Sequence, residues 1–237
     1  MNKLNNNQRG NVLFLILIAV ALFAALSYAV TQSSRSGGDA GRETNVLNSA
    51  QLAQYPNQIR TAILRQVIDG TAVTAVRFNE PADFGDLDAQ RLGVFNPEGG
   101  GAVFQDAPGD FMADGNPGTW TYNLDNEVEE IGTTGGAGVI SNDLIAFLDN
   151  VTLAVCQRIN VEAGIRASTA DAPPVTAALT SVTLNMVDDG TTDYTVTGNV
   201  DLDGTGGDAG VLHGQPFGCF RNDAAGNYVY YHVLNER

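Results

Sequence analysis

Positive charge is what this chain has least of. Lys3 is its only lysine, and 12 Lys and Arg stand against 27 Asp and Glu, a formal net charge of -15. A surface that negative repels phosphate backbones and anionic headgroups, so nucleic acid is not expected as a partner. Histidine and cysteine are nearly as scarce, with 2 of each. His213, His232, Cys156 and Cys219 show none of the close spacings of a zinc site. Neither histidine lies near the Ser or Cys elbow of a nucleophilic triad. The Gly and Thr spacer at 132–138 is not followed by Gly-Lys-Ser or Gly-Lys-Thr, which excludes a phosphate loop. The paired acids Glu129-Glu130 and Asp188-Asp189 are adjacent in sequence and, in so acidic a chain, read as solvated. The expectation is a protein that is not an enzyme. A carboxylate-dependent hydrolase stays open, because its two acids can come from anywhere in a chain.

Charge is also missing from 12–30, together with Pro and Gly. As a helix that stretch would rise about 28 Å, enough to cross a bilayer core. A polar leader holding Lys3 and Arg9 precedes it and ends in Gly10. Cations ahead of the run favour an inside amino terminus, which would put the bulk of the chain outside the cytoplasm. Three readings follow: a signal peptide leaving after Ser27-Tyr28-Ala29, a permanent anchor, or a leader cut ahead of the apolar helix.

The third reading carries a resemblance. Arg9-Gly10 followed by Asn11-Val12-Leu13-Phe14-Leu15-Ile16-Leu17 resembles the leader junction of type IV pilins and type II secretion pseudopilins. The resemblance implies cleavage by a prepilin peptidase between Gly10 and Asn11, methylation of the new amino terminus, and assembly with other pilin-like subunits. Most major pilins carry Glu at the fifth mature position, where this chain has Leu15. The implied subunit is therefore a minor or atypical one. It would be stored in the inner membrane with an extracytoplasmic head, then built into a cell-surface pilus or a periplasmic secretion filament. The alternative is a membrane-tethered or secreted extracytoplasmic protein for binding or adhesion.

The implied layout is a leader at 1–10, a membrane and filament-core helix at 11–35, a flexible neck at 36–43 and a globular head at 44–237. Gly37, Gly38 and Gly41 support the neck, since each costs a helix about 1 kcal/mol against Ala. Helical spacing returns over 44–68, interrupted by Pro56. Residues 71–78 read as a strand, and Trp120 and Tyr122 suggest another. Between them, 81–118 is rich in Gly, Asp and Pro with isolated aromatics, which implies short strands and turns or a functional loop. A helix is predicted over 143–163, with Leu144, Phe147, Leu148, Val151, Val155 and Ile159 on one stripe. Alternating runs at 182–186 and 194–197 flank Asp188-Asp189-Gly190 as a hairpin, and runs at 218–220 and 228–234 form a second. The expected fold is α+β and pilin-like: a long amino-terminal helix, its first half spanning a membrane, packed on an antiparallel sheet with one further helix.

Two cysteines in an exported domain most simply pair. The pilin-like resemblance likewise implies a disulfide, Cys156 to Cys219, stapling the carboxyl-terminal region; two reduced thiols would need a reducing compartment. Asn199, Asp201 and Asp203 followed by Gly204 resemble the start of a calcium loop, with Asp208 as a further oxygen ligand. Gly210 stands where a bidentate Glu belongs, so an acidic turn without metal is the competing reading.

Overall fold

A computed structural model describes residues 9–33, 37–132, 142–176, 179–191, 194–196, 200–223 and 225–237. The chain divides into two units, Met1–Thr44 and Asn45–Arg237. In the first, helix α1 (Arg9–Ser33) opens with polar Arg9 and Asn11 and closes with Thr31-Gln32-Ser33. Its described side chains run from Val12 to Tyr28 and are exposed. Among the described residues no helix is long and apolar enough to cross a membrane. The α+β class stands; the pilin-like plan with a membrane-spanning amino-terminal half does not. Helix α2 (Gly37–Ile68) is helical from Gly37 onward, through the glycines assigned to a neck.

In the second unit α2 buries Leu52, Tyr55, Ile59, Ala62 and Ile63, one stripe at helical spacing. Pro56 lies within the helix. Its missing N–H cannot bond the Leu52 carbonyl. One residue on, the Asn57 side chain donates to the Ala53 carbonyl at 2.8 Å.

The sheet has six strands: β1 (Trp120–Glu127), β2 (Asp143–Leu148), β3 (Val175–Thr176), β4 (Val200–Asp201), β5 (Phe217–Asn222) and β6 (Tyr228–Asn235), in the order β3-β5-β6-β2-β1-β4. The four central strands are antiparallel, while the short edge strands β3 and β4 pair in parallel. Both faces are covered. Leu144, Ala146 and Leu148 of β2 join the core formed with α2 and helix α3 (Leu153–Glu162). Ile145 and Phe147 point into a second core with Ile165, Leu179, Val182, Leu202 and Leu212.

That double coverage corrects the helix predicted over 143–163. A strand buried on both faces is apolar at every position, and over a few residues this reads like a helical stripe. The chain instead forms β2, turns at Asn150 with φ 63°, and only then starts α3. Thr152 caps α3, its hydroxyl accepting from Val155 N–H at 3.3 Å.

Two further expectations are corrected. Residues 71–78 contain a short 3-10 turn (Val73–Ala75) and a single bridge at Arg77 rather than a strand. The hairpin expected around Asp188-Asp189-Gly190 is absent among the described residues. Ser181–Thr183 is a 3-10 turn, and the chain after it lies along β1, where Met186 N–H donates to the Tyr122 carbonyl at 2.8 Å. Asparagines hold it there: Asn123 donates to the Ser181 carbonyl at 2.9 Å, and the Ser181 hydroxyl donates to Asn126 at 2.8 Å.

Candidate functional site

The residues 71–119 that the sheet does not absorb fold against the start of β1 and leave a cleft on either side of Trp120. The larger, about 330 Å³, is lined by Phe78, Phe104, Trp120 and Tyr122. Phe78 and Tyr122 stack at 4.1 Å and 7°, and Phe104 meets Phe95 edge-on at 5.2 Å. Glu80, Asp83, Asp86 and Asp189 also line it and are exposed.

Asp188 lies behind these carboxylates, buried and paired with Arg77. Arg77 also donates to the Thr74 and Val76 carbonyls, each at 3.0 Å. Asn79 brackets the backbone of Asp188, donating to its carbonyl at 2.7 Å and accepting from its N–H at 2.9 Å. Removing either partner of this buried pair would leave an uncompensated charge, so the two residues hold the cleft wall together. No Lys or Arg lines the cleft among the described residues.

The smaller cleft, about 180 Å³, lies between α2 and residues 105–111. Leu52, Tyr55, Phe111 and Trp120 form its buried floor. Gln51, Gln54 and Gln58 project along one helix edge, facing Gln105 and Asp106. The Tyr55 hydroxyl accepts from Gln105 N–H at 3.3 Å. Burial raises its pKa, against the lowering effect of the neighbouring Tyr122 hydroxyl and the Gln105 N–H. The Trp120 indole N–H is buried without a hydrogen-bond partner.

The residues singled out from sequence lie elsewhere. Gly10 and Asn11 fall in the first turn of α1. Cys156 of α3 and Cys219 of β5 are joined by a disulfide with Cα atoms 5.3 Å apart. Of the calcium-loop residues, Asn199 lies outside the described residues. Asp208 is held by Arg166 and accepts from Val175 N–H at 3.1 Å. Asp203 accepts from Gly210 N–H and stands 3.3 Å from His213 Nε2. Burial raises the pKa of Asp201, helped by the negative charges of Glu127 and Asp203. Among the described residues no group of three or more His, Cys, Asp or Glu could hold a metal ion. Gly204, read as the loop glycine, has another explanation: a Cβ there would sit 1.9 Å from the Asp208 carbonyl oxygen.

The sequence shows only isolated aromatics over 81–118, Phe104 among them, with no sign that Phe78, Phe104 and Tyr122 converge. The usable signal was the length of the irregular 81–118 segment. Gln51, Gln54 and Gln58, three and four residues apart on a helix, were a second signal.

Compared with known proteins, the chain matches no family model, no curated protein and no solved structure. The pilin-like resemblance therefore rests on the Arg9-Gly10 junction alone. With no membrane-spanning helix among the described residues, the reading as a pilus or pseudopilus subunit is corrected. With it go the pilin-like neighbours, the prepilin peptidase with its methylation, and the inner-membrane stage before a surface or periplasmic filament.

Proposed function

We propose that residues 45–237 form a binding module rather than an enzyme, and that the larger cleft takes a small organic cation, a molecule carrying an ammonium group. One observation carries the reading. Aromatic side chains and four exposed carboxylates line a single cleft to which no Lys or Arg contributes among the described residues. An ammonium over an aromatic face gains about 0.5–2 kcal/mol, and nearby carboxylates such as Glu80, Asp83 and Asp86 add a Coulomb attraction. The volume, about 330 Å³, falls within the range of small-molecule sites.

Binding is favoured over catalysis by the state of the acids. A carboxyl serving as general acid near neutral pH is usually buried away from water. Glu80, Asp83, Asp86 and Asp189 are exposed, and the buried Asp188 is committed to Arg77. No Ser, Cys or His lines either cleft among the described residues.

Calorimetry with choline and with its neutral isostere 3,3-dimethylbutan-1-ol tests the reading. Choline binds, more weakly as salt rises, and the Asp83→Asn/Asp86→Asn double variant loses about tenfold in affinity. Equal binding of the neutral alcohol, or unchanged affinity in the double variant, would contradict it.

A further inference from the structure

We infer that the smaller cleft is a second, separate site, and that it takes a neutral polyhydroxylated ligand the size of one sugar ring. Its volume, about 180 Å³, is small beside the roughly 300–1,000 Å³ of drug-sized sites and suits a single ring. The apolar floor of Leu52, Tyr55, Phe111 and Trp120 suits the C–H face of such a ring. The rim supplies what its hydroxyls need. Each glutamine amide both donates and accepts, as a sugar hydroxyl does.

Trp120 lines this cleft as well as the larger one, and its indole N–H is buried. It belongs to a residue only 5% exposed and has no partner, and a buried donor left unpaired is costly enough to call for an explanation. Tyr55 offers a donor at the floor of the cleft: its oxygen accepts from Gln105 N–H, which leaves its own hydrogen available. Asp106 is the only charged lining residue. One exposed carboxylate gives an anion nothing to bind, and a wholly apolar ligand would strip water from the amides without replacing it.

Trp120 is the only tryptophan in the chain and lines both clefts, so intrinsic fluorescence reports binding and the variants below assign it to one cleft. Titration with glucose, galactose, mannose and N-acetylglucosamine, followed by fluorescence and by saturation-transfer NMR, gives a saturable response in the millimolar range for at least one. The Gln54→Ala/Gln58→Ala variant, altered at two exposed positions, weakens that response about tenfold. Gln105→Ala serves if the double variant fails to fold. The Asp83→Asn/Asp86→Asn variant binds the sugar as the parent does. The inference is overturned if no sugar gives a saturable response, if the glutamine variants bind unchanged, or if the Asp83/Asp86 variant loses the sugar. The last result would place the ligand in the larger cleft. Choline binding there is measured separately, so either site can fail without the other.

Discussion

Asn160 shows how single residues hold the head together. Its side-chain amide donates to the Cys219 carbonyl at 2.8 Å, and its carbonyl accepts from the Cys219 N–H at 2.9 Å. The side chain thus pairs β5 on the flank where β3, which pairs only at Arg221 and Asn222, has ended. Asn160→Ala leaves two buried backbone groups unpaired and should cost about 3 kcal/mol in urea unfolding; a loss under about 1 kcal/mol would show the bonds to be replaceable. Two buried titratable groups make a second prediction. Burial, with Arg60 adding, pulls the His232 pKa down to about 4. Burial, with Glu127 and Glu236 adding, pushes Asp143 up to about 6 against bonds from Val128 and Arg237 N–H. As pH falls from about 6.5 to 4 the unfolded chain protonates His232 and the native state does not, so stability is lost. Over about 6 to 4 native Asp143 takes a proton that the unfolded chain does not, so stability is gained. The two offset each other. Asp143→Asn removes the gain, so between pH 6.5 and 4 its stability should fall by about 2 kcal/mol more than the parent's does. A variant with the parent's pH profile would refute the assignment.

At the scale of elements, legibility depended on whether neighbours from distant sequence intervened. The β5–β6 hairpin and the start of β1 at Trp120 were readable, because local alternation and turn residues suffice for them. The stripe from Leu52 to Ile63 was readable too, since α2 buries one face. The β2 segment was not: cover on both faces erases the alternation that marks a strand. Residues 181–187 alternate like a hairpin arm, yet the polar groups of Asn123 and Asn126 dock them along β1, and pairing to side chains leaves no trace in periodicity. The clefts were legible only as composition, acids and aromatics over 78–122, with nothing to say which would meet. The disulfide ties α3 to β5 across a separation of 63 residues. In the chain-entropy model that restraint contributes about 4 kcal/mol. Reduction, or the Cys156→Ala/Cys219→Ala variant, should lower unfolding free energy by about 2–5 kcal/mol; thermal melts in the presence and absence of reductant check it, and coincident curves would contradict it.

For the whole molecule, the net charge of -15 is more than a solubility device. It gives any cationic ligand a favourable approach, strongest at low salt, and the larger cleft is where carboxylates meet aromatic faces. The most direct measurement is NMR of the aromatic side chains during a choline titration at low ionic strength. Resonances of Phe78, Phe104 and Tyr122 should move together along one saturable curve, while Phe220 and Tyr231, packed in the second core, stay fixed. Choline that leaves the three cleft resonances unmoved, or moves the second-core aromatics instead, would contradict the account.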